Sequence, residues 1–97
     1  MLPLVGLGPV DTAVKLREGS NATMGVATLV SGAVTISTQK VTSSSRIFLT
    51  VNGVGVLANL GSPYENTATR VVGKSFDIKS SNVLDTSSVT WLIIEPA

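Results

Sequence analysis

The carboxylates are the side chains in this sequence that come closest to supporting chemistry. They are Asp11, Glu18, Glu65, Asp77, Asp85 and Glu95. Glycosidases use two carboxyl groups at a defined separation, and Asp77 and Glu95 could approach each other across neighbouring strands. However, Asp77 lies between Ser75 and Lys79 on the polar side of an alternating pattern, and Glu95 follows a strand. We therefore interpret both as solvated surface charges.

The side chains that most enzymes use as nucleophiles, bases or metal ligands are missing. The chain has no Cys and no His, which removes thiol nucleophiles, histidine bases and the usual zinc ligands. The serines lack a "GxSxG" elbow, and "GVGV" and "GLGP" lack the spacing and the following helix of a phosphate loop. We predict that the protein is not an enzyme and that it has no catalytic, cofactor-binding or metal site.

Two further positions suggest local roles. Asp85 begins "DTSS", which predicts a turn in which its side chain accepts a hydrogen bond from its own backbone. Tyr64, in "SPYEN", is a lone aromatic residue on a predicted exposed loop. It is a possible exposed contact for a partner or ligand, because aromatic side chains offer a large contact area. We favour the alternative that it covers the end of the domain.

The composition describes a small and weakly charged protein. Its 97 residues suffice for one domain, the net charge is +1, and 13% of residues are charged against about 25% in typical soluble domains. Low charge predicts burial in protein contacts and argues against nucleic-acid binding, which requires dense Lys and Arg. No apolar run approaches the roughly 20 residues of a membrane span, so we expect no membrane association.

The elements that must position these side chains are strands. Apolar residues alternate with polar ones in "AVTIS", "RIFLTV" and "SFDIK", which is the period of a half-buried strand. Ser31-Gly32 predicts a short turn, and Asn52-Gly53 is a strong hairpin signal because a type I′ turn needs positive φ at both positions. Residues 54–69 predict a long loop with a short strand at 54–57. We predict an all-β fold, an antiparallel β-sandwich or small barrel of about six to eight short strands.

The first residues differ from the rest. We predict an extended N-terminal arm over residues 1–19, with a possible edge strand where Val14 and Leu16 alternate with Lys15 and Arg17, and a β-sandwich domain over residues 20–97. Gly and Pro break the apolar run that begins the arm, so neither a helix nor a regular strand is favoured there. We expect the arm to pack on another protein, and the alternative is that it adds a strand to the domain's own sheet. Its predicted contact residues are Leu2, Leu4, Val5, Leu7 and Val10.

The last strand, "SVTWLIIEP", is apolar on both sides. One side presents Val89, Trp91 and Ile93, and the other presents Thr90, Leu92 and Ile94. A half-solvated strand would carry polar residues on its second side. We therefore expect one side to fill the core and the other to meet a neighbouring subunit or the arm, with Leu92 and Ile94 as the predicted contact residues. The pattern alone leaves open which side is the core.

Three segments together carry a family resemblance. They are "GVATLVSGAVTIST", "VTSSSRIFLTV" and "VVGKSFDIKSSNVLDTSSVTWLIIEP". From about Asn21 onward the chain resembles a small β domain that recurs in structural proteins of tailed bacteriophages. This resemblance implies either a capsid decoration (cement) protein or a domain associated with fibres.

The position of the domain separates these two roles. The chain starts with Met1 and only a short arm precedes the domain, so we expect a decoration protein that stabilises the phage head. The resemblance then implies a homotrimer, bound to the major capsid protein on the outer capsid surface of the virion. The alternative is a tail-fibre or head-fibre tip module that contacts a host receptor. A more distant alternative is a carbohydrate-binding module.

Overall fold

The computed structural model describes residues 13–19 and 21–97, and this part of the chain is built from six strands without an α-helix. The strands are β1 (Met24–Thr28), β2 (Ala33–Ser37), β3 (Arg46–Gly53), β4 (Pro63–Glu65), β5 (Ser75–Ser80) and β6 (Ser88–Ile94). Two short 3₁₀ helices, Leu57–Asn59 and Thr67–Thr69, flank β4. The predicted contact residues of the arm, Leu2, Leu4, Val5, Leu7 and Val10, lie outside the described residues.

The strands form two antiparallel sheets of three strands each, which confirms the predicted all-β sandwich. Sheet 1 has the order β1-β6-β3 and sheet 2 has the order β2-β5-β4. The last strand of the chain, β6, is therefore the central strand of sheet 1, paired on both edges. This pairing explains why so apolar a segment lies close to the C-terminus.

The core lies between the two central strands, β5 and β6. Val89, Trp91 and Ile93 are buried, so this side of β6 faces inward. Trp91 packs edge-to-face on Phe76 of β5, with ring centroids 5.4 Å apart and an interplanar angle of 76°, a geometry that aromatic pairs favour. Phe76 and Ile78 are fully buried, as the alternation in "SFDIK" predicts.

The Trp91 ring also requires a glycine on the neighbouring strand. Gly25 of β1 lies opposite Trp91 in the sheet. A Cβ atom at Gly25 would lie 2.8 Å from the indole, well inside van der Waals contact. The absence of a side chain at this position lets the indole cover β1 from within the core.

The chain passes from sheet 1 to sheet 2 through a two-residue turn. Ser31 and Gly32 have φ of 51° and 74°, and Val30 and Ala33 on either side exchange backbone hydrogen bonds. The short turn predicted at Ser31-Gly32 is confirmed. Its flanking strands belong to different sheets, because β1 pairs with β6 and β2 with β5.

The prediction of a hairpin at Asn52-Gly53 is wrong. Both residues belong to β3, neither is among the described residues with positive φ, and β3 pairs with β6. The pairing register shifts between Val51 and Gly53. Gly53 pairs with Ser88 of β6. Pairing with a strand far along the chain therefore overrides the local turn preference, and the Asn-Gly pair accommodates an irregularity at the strand end.

The segment 54–69 is more ordered than a loop. The strand predicted at 54–57 is wrong, because the structure places a 3₁₀ helix at Leu57–Asn59 and a strand at Pro63–Glu65. The latter strand, β4, pairs with β5 at the edge of sheet 2. A three-residue strand that begins with Pro carries almost no alternation signal, and Pro in a sheet favours such an edge.

The described part of the predicted arm contains no strand. Residues 13–17 are irregular, Val14 and Leu16 are exposed, and Glu18 makes an isolated parallel bridge with Met24. The division of the chain into an arm and a domain stays a prediction.

Candidate functional site

The outer side of sheet 1 is apolar, and we call it the apolar face. Its apolar residues are Met24, Val26, Phe48, Leu92 and Ile94. Arg46, opposite Ile94, and the pair Thr50 and Thr90 lie on the same side. Met24 and Phe48 lie directly opposite Leu92 on its two sides, so the three side chains form one row across the sheet. Phe48 is 56% exposed and Ile94 is 44% exposed. Phe48, Val26 and Ile94 are thus exposed around the half-buried Leu92, and a group of exposed apolar side chains is a feature of surfaces that other proteins cover.

The apolar face contains the two residues predicted to contact a neighbour. Leu92 is half-buried and Ile94 is exposed, both on the side of β6 that points away from the core. The side of β6 that carries Val89, Trp91 and Ile93 is buried, so the side that carries Leu92 and Ile94 faces outward. That another subunit covers Leu92 and Ile94 stays a prediction.

The outer side of sheet 2 has the opposite character, and we call it the polar face. It is formed by Ala33, Thr35, Tyr64, Asp77 and Lys79. Ala33, Lys79 and Tyr64 lie opposite one another in one row across the three strands, and Thr35 lies opposite Asp77. A shallow cavity of about 420 Å³ lies beside β2, where Val30 and Val34 line it together with Ala33, Thr35, Asp77 and Lys79.

Asp77 lies on the outer side of the sheet, as the alternation predicts, but it is half-buried and its carboxylate is held in place. The Thr35 hydroxyl donates a hydrogen bond to Asp77 Oδ1 at 2.6 Å. This bond, together with one from Thr69, lowers the pKa of Asp77 below its usual value, although partial burial opposes the shift. The group is therefore an oriented hydrogen-bond acceptor at neutral pH.

Tyr64 lies at a different place from the one predicted. The sequence suggested a loop at the end of the domain, whereas Tyr64 belongs to the edge strand β4 and is 49% exposed. The strand pairing puts it beside Lys79 on the polar face. Its role as a contact residue stays a prediction.

A second polar cluster joins the loops at one side of the sandwich. Arg70 binds Glu65 through two nitrogens, with Nε–Oε2 at 2.7 Å and Nη2–Oε1 at 2.5 Å, and its Nη1 donates to the Thr42 carbonyl at 3.0 Å. The bond to Glu65 raises the pKa of Arg70. Thr42 and Ser45 donate to Glu95, which lowers the pKa of that carboxyl. Sequence reasoning missed this cluster because its three segments, 42–45, 65–70 and 95, are far apart in the chain.

The turn predicted at Asp85 is confirmed, and the Asp85 carboxylate accepts two further hydrogen bonds. Its Oδ1 accepts a hydrogen bond from the Ser87 backbone at 2.9 Å, as predicted. Its Oδ2 also accepts bonds from the Ser80 hydroxyl at 2.7 Å and the Gly61 backbone at 2.9 Å. These bonds hold the pKa of Asp85 far below its usual value, with the Ser80 bond as the largest cause. Asp85 is thus a buried structural anchor.

Another cavity lies between the free edges of β1 and β2. Its volume is about 490 Å³, and Trp91 and Ile36 of the core line it together with Glu18. It brings no cluster of titratable groups together, so we regard it as the open edge of the sandwich. Over residues 13–19 and 21–97, no group of three or more Asp and Glu side chains is arranged to hold a metal ion.

The part of the chain that the structure describes also contains no helix of the length and apolarity that crossing a membrane requires.

Comparison with known families identifies the domain. The family "K1 capsule-specific polysaccharide lyase, C-terminal domain" matches residues 21–94, and the chain belongs to this family. No individually curated protein matches the chain. At a coarse level the family agrees with the resemblance to phage structural β domains, since a lyase of bacterial capsule fits a tail spike or fibre. It gives no support to a capsid decoration protein, so the alternative drawn from the sequence fits better.

Proposed function

We propose that this chain is a non-catalytic module of a phage tail spike or fibre that contacts the bacterial surface. The observation that carries the proposal is the match of residues 21–94 to the C-terminal domain of a capsule-specific lyase. A phage that degrades capsule must hold its spike against that capsule, and a small rigid sandwich at the end of a spike suits this role.

The state of two carboxylates, Asp85 and Glu65, supports the non-catalytic role. An elimination reaction needs a base that is free to take a proton. Asp85 is buried and its two oxygens accept three hydrogen bonds, while Glu65 is paired with Arg70. Both groups are fully used in holding the fold. We propose that any lyase activity resides in other parts of such a spike.

We also propose that the apolar face packs against a second copy of the chain. Phage spikes and fibres are oligomeric, and the resemblance to phage β domains implies three-fold symmetry. Phe48 and Leu92 lie opposite each other in this face, Ile94 lies at its end opposite Arg46, and burying such apolar side chains contributes about 1.5–3 kcal/mol each.

Substitution of the apolar face provides the test of self-association. We expect Leu92→Ser and Ile94→Ser each to weaken association at least about tenfold, because a buried contact of roughly 1.4 kcal/mol or more is lost. Sedimentation velocity across a concentration series measures this shift. Val83→Ser, at an exposed apolar residue between β5 and β6, is the matched control and should leave the mass unchanged. A wild-type chain that is monomeric at all concentrations contradicts the proposed contact.

Locating the chain in the virion tests whether it is a tail module. Phage particles that carry the chain can be separated into heads and tails, and mass spectrometry of each fraction locates it. We expect the chain in the tail fraction. Recovery with the heads, in the copy number of the major capsid protein, would instead support the decoration role and its outer capsid location.

A further inference from the structure

The free edge of β1 carries backbone groups that no described strand pairs with. Leu29, just beyond β1, donates a backbone hydrogen bond to the Ser87 carbonyl at 2.9 Å, and the register extends this pairing with β6 back to Ala27. In an antiparallel pair, successive residues point their N–H and C=O groups to opposite sides of the strand. The N–H and C=O groups of Val26 and Thr28 therefore point away from β6.

One described residue pairs with this edge, and only at its beginning. Glu18 forms a parallel bridge with Met24, and the chain then bends at Gly19, where φ is 113°. The rest of β1 has no Lys, no Pro and no bulge in its register with β6, although these are the usual means of preventing further strands from adding to an edge. The edge from Gly25 to Thr28 is therefore open to another strand.

A strand that adds to this edge lies beside a cavity. The cavity between β1 and β2 has a volume of about 490 Å³, and Trp91 and Ile36 of the core line it. Gly25 lies opposite Trp91 and lines the cavity without a side chain. An added strand with apolar side chains on its inner side would bury them against Trp91 and Ile36, which is favourable.

The chain itself contains a segment with the required pattern, "LVGLG" at residues 4–8. The segment has no charge, and a proline, which lacks an N–H group for pairing, bounds it on each side. In an extended strand Val5 and Leu7 lie on one side, and Leu4 with the two glycines lies on the other. The segment is as long as β1, and Val5 and Leu7 provide the apolar inner side.

The outer side of the added strand favours β1 over the free edge of β2. Residues that lie directly opposite each other in a sheet have their side chains on the same side. Along β1, Leu4 would lie beside Val26 and extend the apolar face. Along β2, Leu4 would lie beside Thr35 and close to the Asp77 carboxylate, which requires polar surroundings.

We propose that residues 4–8 of a second copy of the chain add a fourth strand to sheet 1, along the free edge of β1. The added strand runs antiparallel to β1, which is the commoner arrangement. Val5 and Leu7 fill the cavity, and Leu4 lies beside Val26. Addition of an extended segment to a sheet edge is a general mode of protein recognition, in which backbone hydrogen bonds give affinity and alternate side chains give specificity.

The exposure of the arm indicates that the donor is a second copy. Val14 is 79% exposed and Leu16 is 42% exposed, so the chain that leads to the segment is not anchored on its own sandwich. The chain between Gly8 and Glu18 spans up to about 35 Å when extended, which is enough to reach a neighbouring copy. This contact uses an edge of sheet 1 and not its outer side, so it is separate from the contact proposed for the apolar face.

Amide hydrogen exchange followed by NMR tests this contact residue by residue. No described strand pairs with the Val26 and Thr28 amides, so an added strand is what would protect them from exchange. We expect both amides to exchange at least about tenfold more slowly than in a variant whose arm cannot pair. Gly25 and Ala27, whose amides bond to β6, should stay protected in every sample and thereby establish that the sandwich is folded.

Gly6→Pro is the variant whose arm cannot pair. Gly6 lies on the outer side of the added strand, as Val26 does on β1, so its N–H group is among those that bond to β1, and Pro has no such group. Leu7→Ser removes an inner apolar side chain and should lower the protection of Val26 and Thr28 about tenfold. Ala13→Pro, in the irregular chain between the segment and the sandwich, is the control and should keep the wild-type protection.

A mixed sample distinguishes a second copy from the chain's own arm. ¹⁵N-labelled wild-type chains are mixed with a roughly tenfold excess of unlabelled Gly6→Pro chains, and only the labelled chains are observed. If the donor is a second copy, most labelled chains meet a defective arm, and Val26 and Thr28 lose most of their protection. Unchanged protection in the mixture would mean that each chain pairs with its own arm, which overturns the second copy as donor.

Two further results would overturn the contact itself. One is that Val26 and Thr28 exchange as fast in the wild type as in Gly6→Pro. The other is that protection appears at Thr35 and Ser37 of β2 in place of β1. If Leu92→Ser weakens association while Val26 stays unprotected in the wild type, the apolar-face contact stands and the arm contact falls.

Discussion

Replacing Trp91 with alanine is expected to lower the free energy of unfolding by about 3–5 kcal/mol, which is the usual effect of removing a large buried aromatic side chain. Trp91 lies in the central strand of sheet 1, contacts Phe76 of sheet 2 and covers Gly25. Its loss opens the core where both sheets meet. Because small domains have a total stability of about 5–15 kcal/mol, this single change removes a large share of it.

Urea denaturation followed by far-ultraviolet circular dichroism measures this effect, since the tryptophan itself is lost as a probe. Tyr64→Ala is the matched control, because it removes an aromatic side chain from the outer side of sheet 2. Substitutions at such exposed positions usually change stability by about 0.5 kcal/mol or less. Equal losses for Trp91→Ala and Tyr64→Ala would contradict the assignment of Trp91 to the core.

The inward and outward sides of the strands could be predicted from the sequence because alternation is a local property. Phe76 and Ile78 are buried while Asp77 between them is not, as "SFDIK" implies. The inward side of β6 was harder to predict from the sequence, because both of its sides are apolar. Only the position of β5 beneath Trp91 determines which side is the core, and that depends on how the two sheets pack.

Strand partners could not be predicted because they depend on contacts between distant parts of the chain. Asn52-Gly53 is a strong hairpin signal, yet β3 finds its partner in β6. β4 has three residues and is a strand only because β5 offers a free edge beside it. In both cases long-range pairing outweighs the local preference of the chain.

The surroundings of Tyr64 could not be predicted from the sequence either, because they also depend on strand pairing. Tyr64 stands out in the sequence as a lone aromatic residue in a polar segment, but its neighbours on the polar face come from another strand. The pairing of β4 with β5 sets Tyr64 beside Lys79. The contrast between the two outer sides of the sandwich also appears only when the strands are assigned to sheets.

Replacing Asp85 with asparagine is expected to lower the melting temperature by on the order of 10 °C, because the buried carboxylate joins three parts of the chain. Its partners are the backbone of Ser87, the hydroxyl of Ser80 and the backbone of Gly61. All three act as donors to the carboxylate. The amide group of asparagine therefore turns a donor toward a donor in either orientation, which leaves a buried polar group without a partner.

The same carboxylate makes the protein sensitive to acid. The pKa of Asp85 in the folded state lies far below its ordinary value of 3.8, so the folded state binds this proton more weakly than the unfolded state does. The stability that the carboxylate contributes is fully present above the ordinary pKa and is lost as the pH falls below it. We expect the wild-type melting temperature to fall steeply below about pH 4, and that of Asp85→Asn to fall less steeply.

Differential scanning calorimetry between neutral and acid pH tests both expectations. Glu18→Gln, a carboxylate-to-amide change at an exposed residue, is the control and should follow the wild type at every pH. Asp77 and Glu95 also have lowered pKa values, so some acid sensitivity remains in the Asp85→Asn variant. If Asp85→Asn kept the full wild-type slope, these surface carboxylates would account for the acid sensitivity, and Asp85 would act through its geometry alone.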